Sequence, residues 1–365
     1  MNTKASKIAL TVLLIFWVAF CALAWLLPQK DISVAERRHL AKLPQVTMDS
    51  ITSGTFMSDF ESYAVDQFPL RDTFRSMKAL FHKNILNQQD NHGIYLSNGY
   101  LAEIEYPLDT DSVSRALRQF NLVYERYLKD SGCVIFSSVI PDKSYYLAQE
   151  GGYPTMDYER LFSSVRQELS WASNIDLTDT LSLSDYYRTD THWRQECLIP
   201  TAQRIAAAMG ITAPQPADYE KKLSPYPFYG VYYGQAALPV EPETLYMLDN
   251  AALRACKVYR YQTHDYGPVY DLDRLKGNDL YEVYLSGAQS LLTIENPNAR
   301  TQRELIVFRD SFASSLVPLL VGDYQKVTLV DIRYISVAQL GKYISFDRQD
   351  VLFLYSTLVL NKNLI

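Results

Sequence analysis

Seven consecutive residues, Tyr187-Arg188-Thr189-Asp190-Thr191-His192-Trp193, set a carboxylate and an imidazole two positions apart. On an extended segment residues i and i+2 project to the same side, so Asp190 is placed to hold one ring nitrogen of His192 and leave the other as a base. Far downstream, Leu305-Ile306-Val307-Phe308-Arg309-Asp310-Ser311-Phe312 is an apolar run that breaks at a serine. A serine at a strand-to-helix turn projects its hydroxyl from the edge of a sheet. The first N–H groups of the following helix have no intrahelical partner and face a developing oxyanion, an effect the helix dipole reinforces. Ser311, His192 and Asp190 thus offer nucleophile, general base and orienting carboxylate, the parts of an acyl-transfer site. Each also has a plainer reading. Serine is a favoured helix N-cap, and a histidine beside a tryptophan suits a packed loop. With five histidines in the chain and none of the others near this segment, a metal site built on Asp190 and His192 lacks ligands.

The elements that must position these groups alternate. Apolar runs predict strands at 133–140, 174–177, 304–308, 327–330 and 351–355. Helical periodicity falls at 112–129, 156–173, 194–209, 312–320 and 337–344, with Gly210 ending the third. The expectation is an α/β fold, a mostly parallel five-stranded sheet covered on both faces. Functional groups in such sheets collect beyond the carboxyl ends of the strands, where Pro141-Asp142-Lys143, Asp176 with Asp179, Asp310-Ser311, Asp331 with Arg333, and Ser356 stand. Residues 211–300 interrupt the alternation. Twelve tyrosines lie between Tyr219 and Tyr284, which reads as an insertion, partly β, near the active edge. Tyrosine there either stacks on sugar rings or fills half-buried strand positions.

Residues 8–27 form an uncharged apolar run of 20, enough to span a hydrocarbon core ~30 Å thick. Lys4 and Lys7 precede it, which puts the N-terminus in the cytoplasm and residues 28–365 outside. Trp17 and Trp25 fall in the span, Trp25 near its outer end. A cleaved signal peptide would have a shorter apolar region and a small-residue cleavage site, whereas this run ends Trp-Leu-Leu-Pro, so an uncleaved anchor is favoured. The expected divisions are 1–28 for the cytoplasmic tip and anchor, 29–95 for a linker and two helices broken at Pro69 and packed on the main domain, and 96–365 for the α/β domain. The formal charge of −6 argues against a nucleic-acid binder. Outside the anchor, Cys133, Cys197 and Cys256 leave room for one disulfide among them and no zinc-ligand spacing.

The chain resembles the DHHW family of bacterial membrane-anchored proteins, here with Asp190-Thr191-His192-Trp193, and more distantly the alginate O-acetylation proteins of the SGNH-hydrolase-like class. The marks are Glu36 to Ala41, Asp66 to Asp72, Pro141-Asp142-Lys143, Tyr187 to Trp193, Arg309 to Phe312 and Asp331 to Tyr334. The resemblance implies an SGNH-hydrolase-like α/β/α sandwich with Ser311 as nucleophile, His192 as base and Asp190 as its orienting carboxylate, in an order permuted from ordinary SGNH hydrolases. Thr191 takes the second position of the tetrad, and Arg309 stands where those hydrolases carry a glycine. The implied activity is an extracytoplasmic O-acetyltransferase or esterase acting on a cell-surface or exported polysaccharide. It needs no cofactor or metal, and as a transferase it receives acetyl from a multi-spanning acyltransferase partner. The competing class is a non-catalytic, membrane-anchored glycan-binding or scaffold protein.

Overall fold

The computed structural model describes residues 3–362 and 365, apart from the side chains of Thr3, Trp25, Gln149 and Glu150. The expected placement of Trp25 at the outer end of the span therefore lies outside the described residues. The chain forms two compact units, Met1–Asn91 with Tyr233–Pro239, and His92–Tyr232 with Val240–Ile365.

In the first unit the apolar run forms a 24-residue helix, Thr3–Leu26. Within it Lys4–Ala24 is long and apolar enough to cross a membrane. The helices Thr55–Asp66 and Arg71–Asn84 follow, separated around Pro69. Two of the sequence motifs meet here. The Arg38 guanidinium donates to both oxygens of Asp66, at 2.8 and 2.6 Å, and Arg71 lies 2.8 Å from Glu36. Arg38 and the Ala41 N–H hold the Asp66 carboxyl down at about 2, against the opposing effect of burial.

The second unit is built on a mixed sheet of eight strands, which corrects the expectation of a mostly parallel sheet of five. In spatial order the strands are Asp265–Gly267, Lys257–Arg260, Leu291–Glu295, Tyr324–Val330, Arg303–Arg309, Asp350–Ser356, Val134–Ile140 and Ser173–Asn174. Arg303–Arg309 lies between two parallel neighbours, Tyr324–Val330 and Asp350–Ser356, with Val307 in register with Leu329 and Leu352. The first three strands pair antiparallel and come from the tyrosine-rich segment, so much of that segment extends the sheet. Its remaining hairpin pairs Glu220–Phe228 with Glu243–Asp249.

Alternation along the central strands divides the core. Leu305, Val307, Leu352 and Leu354 face the helix Ile199–Met209 through Ala202, Ile205 and Met209. Ile306, Phe308, Val351 and Phe353 face Leu117 and Phe120 of Thr110–Val123 and Leu161 and Val165 of Tyr158–Glu168. A period of two in the strands thus puts apolar side chains on both faces, and a helical layer covers each. Cys133, Cys197 and Cys256 are unpaired thiols, so the bridge allowed by their number is not formed.

Candidate active site

The buried strand Arg303–Arg309 delivers Asp310 and Ser311 to the carboxyl edge of the sheet. Asp310 is fully buried. One of its oxygens accepts the Phe312 N–H at 3.0 Å, and the other accepts the Ser356 N–H at 2.7 Å, at the end of the neighbouring parallel strand. Asp310 therefore does the capping work open to Ser311, and the Ser311 hydroxyl is left for another partner. That partner is His192, whose Nε2 lies 2.8 Å from Ser311 Oγ.

The helix beyond Ser311 is shorter than expected. Only Ala313–Leu316 is α-helical, and it tightens to a 3-10 turn over Val317–Leu319. Pro318 has no N–H to continue the α ladder. A single α turn supplies little macrodipole, and the Phe312 N–H is already bonded to Asp310. The oxyanion argument based on that helix is accordingly weakened, because one of the first N–H groups after Ser311 is committed to Asp310.

The histidine segment is a closed loop rather than an extended run. Tyr186 and Trp193 pair antiparallel, and the Tyr187 N–H donates to the His192 carbonyl at 3.1 Å. Within the loop Asp190 accepts the backbone N–H of His192 at 3.0 Å, the local turn that aspartate favours two residues ahead of a donor. The same carboxylate oxygen lies 2.6 Å from His192 Nδ1. The other accepts the Val231 N–H at 2.8 Å. Spacing places the carboxylate and ring together as expected, through a turn instead of strand alternation.

Facing a buried carboxylate, Nδ1 carries the ring proton and donates it, so Nε2 of the neutral ring is the free base toward Ser311. Asp190 is fully buried and His192 nearly so, whereas Ser311 is half-buried. Water therefore reaches the hydroxyl more readily than the groups behind it.

Neighbours fix the imidazole. The Tyr281 ring stacks on it at 3.9 Å and 11°, with the Tyr281 hydroxyl 2.8 Å from Ser315 Oγ. Burial holds the Tyr281 phenol far above its ordinary range, so it stays neutral. The buried Trp193 indole N–H donates to the Phe312 carbonyl at 3.0 Å and to Ser315 Oγ at 2.9 Å. It ties the histidine loop to the serine turn. Gly230 packs against the Asp190 backbone, where a Cβ would come within 2.3 Å of Asp190 Cα.

The other polar strand exits are internally paired. Asp142 accepts the Tyr158 hydroxyl at 2.8 Å and the Thr357 hydroxyl at 2.7 Å. Arg333 forms a two-bond pair with buried Asp331, at 2.8 and 2.6 Å. Lys143 is buried and donates to the Tyr187 carbonyl at 2.8 Å. Tyr281 and Gly230 escaped sequence reasoning. Tyr281 is one tyrosine among twelve in its segment, and the tight fit at Gly230 depends on a residue 40 positions away.

Residues 181–330 match the family model described as DHHW protein. Among solved structures the chain is similar to a DHHW family protein from Eubacterium siraeum, with 18% identity over 73% of this chain and 91% of that one, at a TM-score of 0.58. It is similar to PatB1 of Bacillus cereus, with 17% identity over 74% and 98% of the two chains and a TM-score of 0.60. The O-acetyltransferase domain of Pseudomonas putida AlgJ matches at 15% identity, over 74% and 92%, with a TM-score of 0.45. No curated protein matches the sequence. The first two likenesses identify the α/β fold with its mixed sheet.

Proposed function

We propose that this protein is a membrane-anchored, extracytoplasmic serine acyltransferase or esterase, with Ser311 as nucleophile, His192 as general base and acid, and Asp190 as the carboxylate that orients the ring. The observation that carries this reading is the continuous relay from Asp190 to His192 at 2.6 Å and from His192 to Ser311 at 2.8 Å, buried at the carboxylate end and open at the hydroxyl. Ser311 Oγ attacks the acyl carbonyl carbon while its proton passes to His192 Nε2. The tetrahedral adduct collapses, the leaving oxygen takes that proton, and the acyl group remains on Ser311. A second hydroxyl then attacks the acyl carbon and gives its proton to His192. Ser311 recovers the proton as the ester or acid departs. The acceptor decides the outcome: a sugar hydroxyl gives transfer, and water gives hydrolysis.

The resemblance of the Asp190-Thr191-His192-Trp193 segment to DHHW and alginate O-acetylation proteins directs the choice of acetyl as the group and a polysaccharide as the acceptor. The N-terminal helix anchors the chain once in the cell membrane, with Lys4 and Lys7 inside and residues 28–365 outside. A multi-spanning partner supplies acetyl groups from the cytoplasm. A hydroxyl held more than ~5 Å from the base would be beyond catalytic reach and would favour the competing non-catalytic class. The 2.8 Å contact supports catalysis instead.

The test is turnover of a chromogenic acetate by the detergent-solubilised chain, with and without oligosaccharide acceptors, beside Ser311→Ala and His192→Ala. Each variant is expected to lose roughly a thousandfold or more in kcat while remaining folded. Acetylated oligosaccharide marks a transferase. Equal turnover in the parent and Ser311→Ala would overturn the serine mechanism.

A further inference from the structure

Among the described residues Lys143 is the one buried lysine. It is 2% exposed, so it does not reach a substrate anion in solvent. Its ammonium donates to the Tyr187 carbonyl at 2.8 Å and to the Arg188 carbonyl at 3.4 Å, and it lies 5.0 Å over the Tyr232 ring. The same stretch of backbone is gripped by a second charge. The Glu243 carboxylate, its side chain 7% exposed, accepts the Arg188 N–H at 2.7 Å and the Thr189 N–H at 2.8 Å. It also accepts the Thr189 hydroxyl at 2.9 Å. An ammonium holds the carbonyls and a carboxylate holds the N–H groups of the peptides that lead directly into Asp190.

A buried ammonium is costly unless other charges compensate it. Burial pushes the Lys143 amine down to about 7, opposed by Asp190, Glu243 and Asp142. The charged groups facing it are therefore Asp142 on its own turn, Asp190 on the histidine loop and Glu243 on the hairpin strand. Tyr232 contributes only its ring. The carboxylate that holds His192 is among the charges that hold Lys143.

We propose that Lys143 is a positioning residue for the Asp190–His192 pair: its ammonium fixes the peptides that deliver Asp190, and its positive charge offsets that carboxylate so that His192 keeps a free base. Asp190 by itself favours the imidazolium, whereas a nearby cation disfavours it. The inference rests on the acyl-transfer reading above and deepens it.

The experiment uses the full chain in micelles, labelled at the histidine ring carbons. The His192 signal is assigned by its loss in His192→Gln. The titration midpoint of that signal is compared among the parent, Lys143→Met and Lys143→Arg, together with the pH profile of kcat/KM for a chromogenic acetate. Lys143→Met removes the charge, so the His192 midpoint and the acid limb of the profile are expected to move upward by about half a pH unit or more. At pH 6 this appears as a roughly threefold or greater loss in kcat/KM. Lys143→Arg keeps the charge and restores both midpoints.

A folded Lys143→Met with an unmoved midpoint would overturn the proposal and leave Lys143 a purely structural residue. Should Lys143→Met fail to fold, Lys143→Gln removes the same charge while keeping a polar group for the two carbonyls, and the His192 midpoint is again expected to move upward. A downward or absent shift there overturns the proposal equally. The ring titration needs no turnover. A shifted midpoint in a parent without activity supports the clamp and overturns acyl transfer, and an active parent with an unmoved midpoint overturns the clamp alone.

Discussion

At the scale of single residues, the site is a chain of obligations with one acceptor group at its base. Asp190 accepts N–H groups from the His192 ring, the His192 backbone and Val231. An asparagine offers one acceptor oxygen and one donor nitrogen in the same shape, so one of those contacts becomes donor against donor. If the ring turns to the other tautomer in response, its Nε2 carries a proton and can no longer take one from Ser311. Asp190→Asn is therefore expected to lower kcat by about 10³–10⁴. The melting temperature should fall by only a few degrees, because the buried volume is unchanged. Steady-state kinetics beside a thermal melt separates the two effects. A kcat within tenfold of the parent would mean that Asp190 is only a loop residue. Asp190, His192 and Ser311 were legible from the sequence because local spacing and a strand break carry them. Tyr281, Glu243 and Gly230 were not, because each meets the site through the tertiary fold and leaves no local pattern.

At the scale of elements, the site depends on how closely the histidine loop, the serine turn and the segment around Gly230 approach one another. Trp193 joins the first two through its indole N–H. Gly230 sets the third approach: its N–H donates to the Thr189 hydroxyl at 3.0 Å, and an added Cβ would meet backbone atoms of Thr189 and Asp190 at 2.3 Å. Backbone cannot swing aside as the end of a long side chain can. Gly230→Ala is thus expected to displace Asp190 and to reduce kcat at least a hundredfold, with a loss of stability of about 1–3 kcal/mol from overpacking. Kinetics with chemical unfolding checks this, and unchanged values for both would show that the loop has slack.

The elements themselves were read unevenly. The strands Val134–Ile140, Arg303–Arg309 and Asp350–Ser356 announce themselves as buried apolar runs, since parallel strands covered on both faces are apolar throughout. Lys257–Arg260 and Asp265–Gly267 at the sheet's edge are short and half-polar, and tyrosines such as Tyr259 and Tyr266 carry their alternation. Such a pattern is easily taken for an insertion.

At the scale of the whole molecule, two buried ionisable groups give the second unit opposite slopes of stability with pH. Glu105 follows the hairpin Ile94–Ser97/Tyr100–Glu103 and is 3% exposed. It meets Lys362, beyond the helix Thr357–Asn361, at 2.8 Å, and so links two ends of the unit. Burial pushes Glu105 from 4.5 up to about 7, with Lys362 opposing and Asp142 and Glu103 adding to the rise. Between those values the folded chain holds a proton that the unfolded chain has released, so stability falls as pH rises through this window. Across it the group costs on the order of 3 kcal/mol. Lys143 acts in the other direction. Its amine is lowered from 10.5 to about 7, so the unfolded chain binds the extra proton and stability rises with pH above neutrality. Together the two groups place a minimum of stability near pH 7. Glu105→Gln keeps the shape of the side chain and removes its charge. Unfolding by urea, followed by near-ultraviolet circular dichroism at pH 5, 7 and 9, should then show the acid slope flattened and the alkaline rise intact. A slope between pH 5 and 7 that survives in Glu105→Gln would assign that dependence to another group and leave Glu105 charged in the folded protein, held by Lys362.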